Sequence, residues 1–330
     1  MARFSTVSLC AGLAVLAIAG SAQAEMSNVR VASQIGLSYL PLIIMQHDKL
    51  WEAKAQEAGE KLTVEYAQLG GGSPLNDALL SDSIQIASAG VAPLLVLWDR
   101  TQTNYKVKAL SAISSSPMYI LTNKPSIKSV RDFGPNDRIA VASVRVSINA
   151  IVLQMAEEQA TGKWDGLENI QVAMAHPEAF AALTTRSGGI TGYVASSPFQ
   201  DRALAMPGIS KVVDSFEVQG GHPSLSLIYA KSSFVTENPK LTAAFIAAQK
   251  EAVASIKADP KSAIDKYIAV TGDKTDRATL ESLITSPNWN FDLEPKGTMK
   301  VADFITKTGL LKHKPASWKD YFFDTVASGD

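Results

Sequence analysis

Residues Arg138 to Gly162, RIAVASVRVSINAIVLQMAEEQATG, decide how the chain is read. Ile139, Val141 and Ala142 form a short apolar run bounded by charge, the pattern of a buried strand. Ser143 to Ser147 follow as a polar loop. An apolar helix then runs from about Ile148 to Ala160, with Ser147 as N-cap and Gly162 to end it. The unit is strand, loop, helix. A helix's first turn leaves N–H groups free and carries about half a positive charge, so an anion can rest there. Arg145 would add a full charge and a fork of donors. On these residues alone the unit is either half of an anion-binding cleft or an ordinary strand-to-helix turn with a solvated arginine.

Outward from this unit, strands alternate with helical patterns, which predicts an α/β chain with largely parallel sheets. Strands are expected at Asn28–Ser33, Leu62–Leu69, Ile84–Ser88, Val107–Ile113, Met118–Thr122 and Leu225–Ala230. Helices are expected at Pro41–Ala58, Leu75–Leu80 and Leu94–Arg100. Beyond Ala230 the chain is mainly helical, over Pro239–Ala258, Pro260–Val270, Asp276–Ile284, Lys296–Thr308 and Ser317–Val326. Asp77-Ala78-Leu79-Leu80 with Ile84, Ala87 and Pro93 is loosely echoed by Ala181-Ala182-Leu183-Thr184 with Ile190, Val194 and Pro198. Chance competes with so short a match, but the echo suggests two lobes of similar build. The late helices would then pack back on the first lobe, with chain crossings near Ser114–Met118 and Asp214–Ser224.

The chain has 330 residues, 46% of them hydrophobic and 19% charged, enough for two cores of ordinary size. A net charge of -1 leaves no basic field for nucleic acid. Arg3, the apolar run Val7–Gly20 and Ala22-Gln23-Ala24 read as a signal peptide over residues 1–24, which predicts export to the periplasm. The apolar run is about 14 residues, short of the roughly 20 that a membrane span needs. Cys10 is the only cysteine, so cleavage before Glu25 would leave no thiol chemistry.

PLIIMQHDKLWEAKAQEAG, GGGSPLNDALLSDSIQIASAGVAPLL, the Arg138–Gly162 unit and HPSLSLIYAKSSFVTENPKLTAAFIAA, in this order, resemble the periplasmic substrate-binding proteins of ABC importers. The branch is the one that includes nitrate-, alkanesulfonate- and taurine-binding proteins. The resemblance covers nearly the whole chain after residue 24. It implies a two-lobed periplasmic-binding-protein fold of type II, with a ligand cleft between lobes joined by two crossover strands. Residues 25–116 and 225–330 would form one lobe and 117–224 the other. It implies no catalysis and no cofactor. The expected partners are a small-molecule ligand, with an organic anion such as a sulfonate or carboxylate favoured, and an inner-membrane ABC permease. The receptor is expected to be a monomer.

The resemblance also places the pocket loops. In the first lobe they offer Gln34 and Tyr39, the turn Gly71-Gly72-Ser73, Ala89 and Gly90, and Ser114 at the crossing. In the second they offer Ser143, Arg145 and Ser147, then His176, then Ser196 and Phe199, with His222 on the return crossing. Each has a plainer reading beside the functional one. The glycine run lacks the GK[ST] ending of a phosphate loop and is otherwise a turn needing positive φ. Tyr39 and Phe199 stack on a ligand or fill the core. Arg145 pairs with an anion or with a surface carboxylate. His176 contacts ligand or caps a helix. His47 is expected to be structural, and Trp98 either packs or borders the cleft mouth.

Enzyme motifs are missing: no H-E-x-x-H, GxSxG, S-x-x-K or GxGxxG occurs. Glu157-Glu158 reads as a solvated pair on a helix. An exported enzyme using the same cleft, one resembling pyrimidine-synthesis enzymes of related fold, and a ligand sensor stay as alternatives.

Overall fold

The computed structural model describes residues 25–325. The expected signal peptide and Cys10 lie outside them. The first part of the chain gives β1 (Asn28–Ser33), α1 (Leu40–Asp48), α2 (Leu50–Glu57), β2 (Thr63–Gln68), α3 (Gly72–Leu80), β3 (Ile86–Gly90), α4 (Val91–Arg100) and β4 (Lys108–Ser114). A middle part gives β5 (Tyr119–Thr122), β6 (Ile139–Val141), α5 (Ile148–Thr161), β7 (Gln171–Ala173), α6 (His176–Thr185), β8 (Gly192–Ala195), α7 (Phe199–Leu204), β9 (Ser210–Asp214) and α8 (Ser215–Gln219). The remainder gives β10 (Ser226–Ala230), α9 (Ser232–Glu237), α10 (Pro239–Ala258), α11 (Pro260–Thr271), α12 (Arg277–Ile284) and α13 (Thr298–Lys307).

The described strands form two sheets in the orders β2-β1-β3-β10-β4 and β7-β6-β8-β5-β9. Each has three parallel strands, then one strand running against its neighbours, then an edge strand. The two orders correspond strand for strand, β1 to β6, β2 to β7, β3 to β8, β10 to β5 and β4 to β9. The odd strand in each sheet is the one the chain enters on crossing over: β4 leads to β5, and β9 leads to β10. The chain is thus a two-lobed α/β protein of the periplasmic-binding-protein fold. The weak echo at Asp77–Pro93 and Ala181–Pro198 falls on α3-β3-α4 and α6-β8-α7, equivalent positions in the two lobes.

Local sequence explains the elements. Ser147 caps α5 by accepting from the Ala150 N–H at 3.2 Å, and Gly162 ends it at φ 79°. The long first helix expected from Pro41 to Ala58 is two helices, because Lys49 sits in the left-handed region at φ 53°. That bend seats Trp51 in the core, where its indole N–H donates to the Leu241 carbonyl at 2.9 Å and its ring meets Phe245 edge-on at 4.9 Å. The aromatic pair adds about 1 kcal/mol to the area it buries. Instead of the expected terminal helix, residues Trp318–Tyr321 form a single 3-10 turn.

Three apolar layers hold the lobes. One packs α1 and α2 with α10, α11 and α12 on one face of the first sheet. One backs the second sheet with α6 and α7. The third is shared, running from Val91, Leu94 and Leu95 of α4 to Ile148, Ile151 and Val152 of α5. Trp98 belongs to it, and donates to the Asp320 carbonyl at 3.0 Å, so it is a packing residue. Glu157 is buried rather than solvated. It accepts from the Leu167 N–H at 3.1 Å, and burial pushes its carboxyl above the ordinary value. Glu158 pairs with Lys307 at the surface. No helix among the described residues is long and apolar enough to cross a membrane.

Candidate ligand site between the two sheets

Parallel strands followed by helices bring helix N-termini to one end of each sheet, and the two ends face one another. Gly71, the N-cap of α3, is extended at φ -171°. A Cβ placed on it would lie 2.6 Å from the Ala142 carbonyl oxygen and from Ser143 Oγ in the loop before α5. A Cβ on Gly90, the N-cap of α4, would lie 2.5 Å from Ile148 at the start of α5. The Leu37 N–H donates across the seam to the Ser197 carbonyl at 3.1 Å, just before α7. The glycine run thus serves close approach between lobes. None of Gly70, Gly71 and Gly72 has the positive φ expected for a turn.

Neutral polar groups line the seam. On the first lobe, Tyr39 donates to Gln34 Oε1 at 3.1 Å, and Ser226 donates to the Tyr39 hydroxyl at 3.4 Å. Ser226 lies opposite Gly90 on one side and Ser114 on the other. Ser38 and Ser116 share a hydrogen bond of 3.2 Å. The hydroxyl oxygens of Ser114 and Ser115 are buried with no partner. Burial raises the Tyr39 phenol well above its ordinary range, so it stays a neutral hydroxyl.

On the second lobe, His176 opens α6 and is buried. Its Nδ1 lies 2.5 Å from the Tyr193 hydroxyl and its Nε2 lies 3.2 Å from Ser196 Oγ. Its ring stacks on Phe199 at 5.8 Å and 13°. Burial pushes the imidazole down to about 4, so it is neutral at pH 7. The two sides meet at Gly36, where a Cβ would lie 4.0 Å from both Ser196 Oγ and Tyr39 Cδ2.

Of the expected residues, the seam gathers Gln34, Tyr39, Gly71, Gly90, Ser114, Ser143, His176, Ser196 and Phe199. Ala89 lies on β3, its Cβ directed toward Gly72. Gly72 packs within its own lobe, since a Cβ there would meet Pro93 at 2.4 Å. Ser73 is half-buried in the first turn of α3. Ser147 is occupied as a cap, its hydroxyl donating to the Ser143 carbonyl at 2.7 Å. Three expectations are revised. Arg145 sits at φ 65° with its side chain 68% exposed, and its Nε donates to Glu168 on the outer surface beside Trp164 and Leu310. His222 is exposed and stacks on Phe216 at 4.2 Å. His47 is also exposed, paired with Asp48 rather than structural.

Tyr193 and Ser226 went unread because both lie inside strands, where an aromatic or a serine looks like ordinary filling. The clue for Ser226 was its place two residues after a crossing. The buried polar side chains at the seam include no lysine or arginine. Lys231, the buried lysine of the described residues, binds the Leu80 carbonyl at 3.0 Å and Asp82 at 2.9 Å instead. No group of three or more metal-ligating side chains occurs among the described residues. The seam can therefore offer hydroxyls, the Gln34 amide, one neutral imidazole and helix N-termini.

The NMT1-like family profile matches residues 22–270. No curated protein matches in sequence. Similar solved structures include the alkanesulfonate-binding protein SsuA from Xanthomonas axonopodis pv. citri bound to MOPS, at TM-score 0.72 and 17% identity over 88% of this chain and 96% of that one. The periplasmic aliphatic sulphonate binding protein SsuA from Escherichia coli gives TM-score 0.67 and 17% identity over 92% and 99%. The periplasmic nitrate-binding protein NrtA from Synechocystis PCC 6803 gives 0.65 and 13% over 92% and 85%. At these identities the likeness is one of fold.

Proposed function

The chain belongs to the NMT1-like family, and from that premise we propose that it is a periplasmic solute receptor that binds a small organic anion between its lobes and delivers it to an ABC permease. In this reading residues 1–24 direct export, residues 25–116 with 225–330 and residues 117–224 move as two bodies, and the receptor works as a monomer. The names of its structural relatives support the transport role, and the seam supports the ligand class.

The observation that carries the reading is Ser114. Its hydroxyl is buried without a partner. It ends β4 beside Ser226, in the lobe whose Gly36 comes close to Ser196 and Ser197 across the seam. A buried hydroxyl left unpaired costs about 1–3 kcal/mol, which a ligand oxygen would recover. Helix N-termini and hydroxyls stabilise a sulfonate or carboxylate through oriented dipoles, without a fixed cation. Tyr39 and Phe199 supply apolar walls for the organic part. Contacts made to both lobes stabilise the closed form by the ligand's differential affinity for it.

A thermal-shift screen of the chain from Glu25 to Asp330 tests this. The panel is sulfonates, carboxylates, nitrate and neutral pyrimidines. A ligand at about 100 times its dissociation constant stabilises by about 2.7 kcal/mol. A hit among the organic anions that Ser114→Ala weakens is the expected result. A hit confined to pyrimidines overturns the anion class, and a hit turned over to product on prolonged incubation favours the enzyme alternative.

A further inference from the structure

His176, Tyr193 and Ser196 form a chain of hydrogen bonds that ends at the seam. Tyr193 is fully buried on β8, and its hydroxyl has two partners within reach, both on His176: Nδ1 at 2.5 Å and the backbone carbonyl at 3.4 Å. A neutral imidazole has one N–H and one lone pair, so only two arrangements exist. In one, Tyr193 donates to Nδ1 and Nε2–H donates to Ser196. In the other, Nδ1–H donates to Tyr193 and Ser196 donates to Nε2.

The acceptors open to Tyr193, and its acidity, separate them. The phenol has two acceptors in reach, His176 Nδ1 and the His176 carbonyl at 3.4 Å, and the imidazole nitrogen is much the closer. The phenol is also the more acidic of the two hydroxyls and the better donor to the imidazole lone pair. The alternative leaves the Tyr193 proton only the 3.4 Å contact.

We propose that Tyr193 fixes His176 as the Nε2–H tautomer, so that Ser196 accepts from His176 and turns its own hydroxyl proton into the seam as a donor. Ser196 then presents a donor to the ligand, and an oxygen of a sulfonate or carboxylate, being charged, accepts from it more strongly than the neutral oxygen of the matching amide. Tyr193 and His176 are positioning residues that set specificity through Ser196. The role given to Ser196 toward ligand rests on the receptor reading; the tautomer does not.

Long-range 15N–1H spectra of protein labelled at its histidines read the tautomer directly. Protonation at Nε2, with Nδ1 as acceptor, is expected for His176. Protonation at Nδ1 overturns the proposal whatever the ligand. Binding is then measured for methanesulfonate against methanesulfonamide and for benzoate against benzamide. The oxyanions are expected to bind better, and Tyr193→Phe, which keeps the ring that fills the core, is expected to cut that preference by about tenfold. Ser196→Ala should cut it equally, and the double variant should lose no more than either single one. Additive losses would mean that Tyr193 acts by packing alone, and overturn the relay. Should none of the four probes bind, the donor role of Ser196 toward these oxyanions falls, while the tautomer result and the wider ligand screen stand separately.

Discussion

A histidine buried neutral makes stability depend on pH in a definite direction. His176 is held at about 4 by burial, below the ordinary value of 6.5, so the unfolded chain takes up its proton first. Its contribution is intact above pH 6.5 and is lost as pH falls toward 4, and the loss reaches about 3 kcal/mol once both states are protonated. His176→Gln should flatten this part of the profile, measured as urea midpoints between pH 7.5 and 4; an unchanged slope would count against a neutral buried imidazole. Arg145 gives the opposite prediction. Its pair with Glu168 is exposed, where such pairs contribute about 0–1 kcal/mol. Arg145→Ala should leave anion affinity unchanged by titration calorimetry, and a clear loss would return Arg145 to the cleft. The sequence made Arg145 conspicuous as a cation in a pocket loop. It carried no sign of the left-handed backbone that turns the side chain outward, nor of Glu168 waiting there.

At the scale of elements, what could be read was what depends on neighbours in the chain. The Ser147 cap, the Gly162 stop and the strand Asn28–Ser33 stand where expected, because capping and apolar runs are local signals. The strands β7 and β9 were not anticipated. β7 has three residues, and both lie at sheet edges, half-exposed, with too little apolar pattern to register. The glycine run was visible, but its reason was not, since Ala142 and Ser143 are distant in sequence. Two neighbouring glycines now separate closure from folding. Gly71 is extended, a conformation that any residue adopts, so Gly71→Ala costs energy only where its Cβ meets the backbone oxygen of Ala142. It should weaken ligand binding by about tenfold or more, while the melting temperature changes little. Gly72→Ala meets Pro93 inside the lobe and should lower the melting temperature instead. Equal effects of the two on melting would remove Gly71 from the closure contact.

For the whole molecule, the contacts between lobes are the deciding feature. Sequence suggested two similar halves through a short echo, and the paired strand orders give that echo a structural basis. It could not suggest the shared apolar layer, because an apolar helix such as α5 does not name in its own sequence the element that will cover it. The apolar faces of α4 and α5 pack together there, and this protein-to-protein contact favours closure by itself. A ligand that must enter between the lobes then waits for them to part. Stopped-flow association should therefore level off with rising ligand concentration, at the rate of opening. Ile148 presses on Gly90 across the seam, so Ile148→Ala weakens the latch and leaves each sheet intact. The variant should raise the plateau rate. If association instead rises linearly with concentration in both proteins, the open form already predominates, and the α4–α5 layer stabilises closure by less than the opening of the lobes gains in chain freedom and hydration.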